Sequence, residues 1–171
     1  MVKLIGAIFI IVATTVIGFE VSRQFSERPK QLRALKTALQ SLEAEIMYGH
    51  TPLHEAARRL SEQLSNPLSA FFDSFARKLT NSETTVRDAW ETSLREVWKS
   101  TALKTGEFEI MKQFGETLGR HDRFSQQKQI MLTLSHLERE EANAIQAQIK
   151  YEKMVKSLGF LSGLLLIILL F

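Results

Sequence analysis

The stretch "KQLRALKTALQSLEAEIM", Lys30 to Met47, decides the fold class. Its leucines fall at 32, 35, 39 and 42, and Ile46 follows, so apolar residues recur every three or four positions. That spacing gathers side chains on one face of an α-helix, and the polar residues between them take the other. Gly49 follows as a natural helix stop. The same period returns downstream. "TPLHEAARRL" restarts a helix, with Thr51 placed to cap and Pro52 at the first helical position. Around Pro67 another begins, with Leu68, Phe71, Phe72, Phe75 and Leu79 on one side. A fourth opens near the cap candidate Ser82 and carries Val86, Trp90, Leu94, Val97 and Trp98. A fifth spans about Leu103 to Leu118, with Phe108, Met111, Phe114 and Leu118. The last starts near Asp122 and meets no proline or glycine until Gly159. Alternating β-branched runs and hairpin dipeptides are missing, so no strand competes. The reading is an all-α bundle of about six helices, joined by the short loops usual in such bundles.

Outward from this middle the composition changes. "LIGAIFIIVATTVIGF" (Leu4 to Phe19) and "LGFLSGLLLIILLF" (Leu158 to Phe171) carry no charge. Counted as 2–19 and 154–171, with Lys3 and Lys156 snorkelling, each covers about 27 Å as a helix. A hydrocarbon core is about 30 Å thick. The expectation is a transmembrane helix at each end, with 20–153 as the helical domain between them. A cleaved signal peptide is the alternative at the N-terminus, but no small-x-small site follows the apolar core and the next residues are basic. Arg23, Arg28, Lys30, Arg33 and Lys36 flank the first stretch, and Lys150, Lys153 and Lys156 flank the second. Cationic flanks stay in the cytoplasm. The domain is therefore expected to be cytoplasmic, with both termini on the far side and an anionic lipid surface as one partner. The last helix, run unbroken into the membrane, would be about 75 Å long.

Chemistry is sparse. The chain has no cysteine, which excludes disulfides, thiolate metal sites and a cysteine nucleophile. A net charge of +3 is too small to mark a nucleic-acid binder. No nucleophile elbow, phosphate-cradling glycine loop or Walker lysine is present. His121 and Asp122 are adjacent and point about 100° apart on a helix, so they cannot share a ligand face. His50 and His54 are separated by a helix break. The reading is a non-catalytic protein with no cofactor and no metal.

The segment "FGETLGRHDRFSQQKQ" (Phe114 to Gln129) reads as a corner between two helices. Phe114 and Leu118 close one helix, Gly119 turns, Asp122 caps the next, and Gln126 braces the loop. Gly115, inside a helix, costs about 1 kcal/mol against alanine, and a glycine kept at that cost allows close helix approach. Trp90 and Trp98 lie about 80° apart on their helix, so one of them is free to face a partner.

Taken with the N-terminal span, "YGHTPLHEA", "FGETLGRHD" and the tail "KYEKMVKSLGFLSGLLLIILLF", the chain resembles the stage III sporulation protein AB family of endospore-forming bacteria over its whole length. The resemblance implies a part in sporulation, within the channel complex joining mother cell and forespore, in the mother-cell membrane. It also implies a domain similar to the cytoplasmic domains of type II secretion and type IV pilus inner-membrane platform proteins. On Pro52, Leu53, Ala56 and Leu60 the sequence resembles a segment of that platform family. The expected partners are other channel-complex membrane proteins, a cytoplasmic ATPase and further copies of the chain. A membrane-anchored signalling or sensory module is the competing reading.

Overall fold

The computed structural model describes residues 2–48, 51–81, 84–118 and 123–170; within the helices, several side chains in 2–11 and from 152 onward lie outside the described set, as do those of 21 and 123. Six helices make up the described residues, with no strand: α1 (Val2–Tyr48), α2 (Leu53–Gln63), α3 (Leu68–Leu79), α4 (Val86–Trp98), α5 (Thr105–Thr117) and α6 (Arg123–Leu170). The all-α expectation is met.

One boundary differs. The apolar N-terminal stretch and the helix expected from Lys30 are a single helix, which runs through Pro29. Proline removes its own N–H bond, here the one to the Phe25 carbonyl, and its ring crowds that carbonyl, while its fixed φ suits a helix. Pro29 is itself buried, so packing compensates the lost bond.

Two caps also differ. Pro52 is the N-cap of α2 with extended backbone, outside the first helical position, and its carbonyl accepts from the Glu55 and Ala56 N–H groups at 3.0 Å each. At α4 the cap is Thr85, whose Oγ1 accepts the Asp88 N–H at 3.1 Å; Ser82 lies outside the described residues, as do Gly49, His50 and His121. Asp88 in the first turn also suits the positive end of the helix dipole. Thr85→Ala is expected to lower stability by about 1 kcal/mol, read as a lower urea midpoint at unchanged slope.

The chain divides into two compact units, one of residues 1–29 with 142–171 and one of 30–141. In the second, Trp90 is the centre of the core and is fully buried. Phe71 and Phe75 of α3 stand edge-on to it at 4.8 and 4.9 Å, and Phe114 of α5 at 5.3 Å. Each such ring pair adds about 1 kcal/mol beyond area burial. The indole Nε1–H donates to the Met111 carbonyl at 2.7 Å, so the polar edge is satisfied inside the core. Trp98, the other of the two tryptophans, is half-buried and edge-on to Phe108 at 5.3 Å, with the Arg95 guanidinium 5.7 Å from that ring.

In the same unit α1 runs antiparallel to α6. Arg33 and Lys36 meet Glu141, while Glu43 further along α1 meets Gln127 near the start of α6. Leu32, Leu35, Leu39 and Leu42 of α1 and Ile130 and Leu137 of α6 are buried. In the other unit, Phe25 and Tyr151 pair the two helices at 5.9 Å.

Among the described residues, no helix is long and apolar enough to cross a membrane. The stretches 2–19 and 154–171 fall largely on side chains outside the described set. Where side chains there are described, most of the large apolar ones are exposed, among them Val16, Ile17, Phe19, Leu161, Leu165 and Ile168.

Candidate functional site

The corner between α5 and α6 is built on the core. Phe114 is 3% exposed and Leu118 likewise, and the Leu118 N–H returns to the Gly115 carbonyl at 3.3 Å. Gly115 lies against the indole of Trp90. A Cβ built on Gly115 would stand 2.7 Å from both Cγ and Nε1 of that ring, and closer still to Cδ1. This is the close approach that the unfavourable mid-helix glycine implied, and its partner is a tryptophan side chain. Gly119 and Asp122 lie outside the described residues, and Gln126 is half-buried in the first turns of α6. The amide reaching across to α1 is that of Gln127, which donates to Glu43 Oε1 at 2.8 Å.

In the platform-like segment Ala56 and Leu60 are buried, Leu53 is half-buried and Pro52 is exposed at the cap. The spacing of this segment is thus the core face of α2. Its opposite face carries His54, Glu55, Arg58, Arg59 and Glu62 around an open trench. Arg59 bonds Glu55 at 3.1 Å and reaches Glu45 of α1 at 3.5 Å, so the charges pair along and between helices. Such exposed pairs contribute little each. Among the described residues, no group of three or more acidic or histidine side chains is arranged to hold a metal ion.

The basic flank residues separate into classes. Arg33 Nε donates to Glu141 Oε1 at 3.1 Å and Lys36 Nζ to Glu141 Oε2 at 3.0 Å. Lys36 also stands 3.7 Å from Glu138. Arg28 is 7% exposed. Arg23 is exposed beside Glu20 at 3.7 Å, and Lys30 and Lys150 are exposed. The side chains of Lys153 and Lys156 are outside the described set. Burial acts to raise the Glu141 pKa, but the hydrogen bonds and charges of Lys36 and Arg33 outweigh it and hold the carboxyl below its ordinary value.

Glu141 was not singled out from the sequence. The available signal was its position: it continues the buried series Ile130, Leu137, Ala144 on α6, where an acid needs a cation opposite. The same series explains why the acid matters. Leu32, Leu39 and Ile46 repeat at seven residues, as do Ile130 and Leu137, so a one-heptad slip keeps apolar against apolar. Sliding α6 along α1 by that amount, about 10 Å, sets Glu141 near Glu43 in one direction. The polar pairs therefore distinguish registers that the leucines leave equivalent.

A family model described as stage III sporulation protein AB matches residues 3–171. The stage III sporulation protein AB of Bacillus subtilis (strain 168) is 59% identical over 170 residues, covering 99% of each chain. A solved structure of a stage III sporulation protein AB superposes with a TM-score of 0.70 at 56% identity, covering 72% of this chain and 98% of that one. The family is named for a stage of sporulation and not for a reaction, and this chain belongs to it: the stage III sporulation protein AB family.

Proposed function

We propose that the protein is a non-catalytic membrane platform in sporulation, in which the helical unit of residues 30–141 lies in the cytoplasm and both chain ends are embedded in the mother-cell membrane. The observation that carries this reading is the pairing of the two ends in one compact unit in which most of the described large apolar side chains are exposed. Outward apolar surface of this extent is unstable in water and suits lipid. Cationic flanks on the polar side of each end agree with a cytoplasmic central unit. In this reading the domain ties a cytoplasmic ATPase to other membrane proteins of the mother cell–forespore channel, and further copies of the chain complete the platform.

The test is fractionation followed by cross-linking in sporulating cells. The expected result is a chain that stays with membranes through alkaline carbonate and is recovered with channel proteins and the ATPase. Release into the supernatant, or recovery of neither partner, rejects the platform. The uninterrupted α6 favours a second reading, a signalling module working through that helix. A ligand-dependent change in α1–α6 cross-linking, without recovery of the ATPase, selects it.

A further inference from the structure

We infer that Arg23 and Lys150 form the site at which this protein binds the headgroups of anionic phospholipids, and that Arg28, Arg33 and Lys36 act within the fold. The inference rests on the membrane reading above. Eight lysines and arginines flank the apolar ends. Arg33 and Lys36 are held by Glu141, and Arg28 is buried. None of these three is placed to meet a surface without giving up its packing or its ion pair.

Arg23 and Lys150 are different. Both belong to the unit formed by the two chain ends, and both are exposed. The Phe25–Tyr151 ring pair, at 5.9 Å, brings α1 and α6 together at their level. Lys150 Nζ stands 5.0 Å from the Tyr151 ring centre, which orients an ammonium beside an aromatic group. Large apolar side chains flank both cations outward: Phe19 is 56% exposed and Ile149 is 74% exposed. Ile149 sits within the polar stretch "QIKYEK", outside the apolar run counted as a span. An exposed isoleucine next to a lysine, with a tyrosine following, is the composition of a membrane–water boundary.

The charge has the sign needed for acidic headgroups. Over 20–30 and 150–156 the sequence carries six cations against three glutamates. Glu20 does not neutralise Arg23 effectively, because the pair is 3.7 Å apart with side chains 70% and 68% exposed. The occupant is a lipid surface and not free phosphate, because phosphate alone would leave the exposed Phe19 and Ile149 in water.

The full-length chain in zwitterionic detergent is offered equal amounts of phosphatidylglycerol and phosphatidylcholine, and retained lipid is counted by native mass spectrometry. The wild type is expected to retain phosphatidylglycerol preferentially. Arg23→Gln or Lys150→Gln should each reduce that preference about fivefold, and the pair about 25-fold. Arg33→Gln should leave it unchanged. Inorganic phosphate at millimolar concentration should not displace the lipid. Equal retention of both lipids, an unaffected double variant, or an equal loss from Arg33→Gln overturns the assignment. Carbonate extraction of the wild type from vesicles distinguishes the two levels. A chain that is extracted overturns the membrane reading and this site together, whereas an embedded chain with no headgroup preference overturns this site alone.

Discussion

Gly115→Ala is expected to destabilise the helical unit by about 3 kcal/mol or more, although alanine is the better helix former. The propensity gain is about 1 kcal/mol. Against it stands a methyl within 2.7 Å of Cγ and Nε1 of Trp90. The clash is with a fully buried ring that Phe71, Phe75 and Phe114 surround, so the indole has nowhere to move without disturbing them. Overpacking of this kind costs about 1–3 kcal/mol and sometimes more. Displacing the ring also breaks its bond to the Met111 carbonyl, leaving a buried donor unsatisfied at about 1–3 kcal/mol. The urea midpoint of the variant measures the loss. Trp90→Phe in the Gly115→Ala background should recover part of it, because a smaller ring with no N–H relieves both terms. A Gly115→Ala protein as stable as the wild type would show that the α4–α5 contact is loose.

The second large effect concerns Glu141. Removing both cations, as Arg33→Gln with Lys36→Leu, strands a carboxylate whose side chain is 11% exposed. The expected loss is about 3 kcal/mol at neutral pH, the order found when one side of a buried pair is removed. The pH dependence gives a sharper measure. In the wild type the Glu141 pKa is lowered from 4.5, so this group's contribution is present above that value and is lost as pH falls through the lowered one. In the double variant burial acts on Glu141 without those two cations, and burial pushes the carboxyl up. Its folded pKa then exceeds the unfolded one, so protonation favours the folded state and the variant gains stability as pH falls through the raised value. Glu91 and Glu96, also held below their ordinary value, give both proteins the same acid slope, so the stability gap between the two proteins should narrow as pH falls. Adding Glu141→Leu to the variant should remove the Glu141 part of its pH slope and recover stability. Parallel slopes would mean that Glu141 is solvated and that the register of α1 against α6 is set elsewhere.

These expectations show what could be read along the chain. The helical class followed from spacing, and the leucines named on Lys30 to Met47 are the ones α1 buries. The aromatic side of α3, with Phe71, Phe72 and Phe75, was legible for the same reason. Caps were less so. Thr51, Ser82 and Thr85 are all competent acceptors, and cap choice turns on backbone geometry within one or two residues. The helix read from Lys30 is the second part of a longer one, because α1 continues through Pro29. Gly115 could be flagged as unfavourable in a helix, but nothing in the sequence named Trp90, 25 positions away, as the group that requires it.

Local periodicity determined by itself that this chain is helical, which face of each helix is apolar, and that the ends are apolar where the middle is amphipathic. Those properties depend on neighbours within a turn or two, so one sequence suffices. Tertiary structure alone decided which helix meets which, and in what register. The Arg33–Glu141 bond joins residues 108 positions apart. A seven-residue apolar repeat is compatible with several alignments, and the placement of charge against charge is one feature that tells them apart. The same placement sorted the basic flanks. Lys36 and Arg33 became part of the core's edge, Arg28 was buried, and Arg23, Lys30 and Lys150 were left exposed.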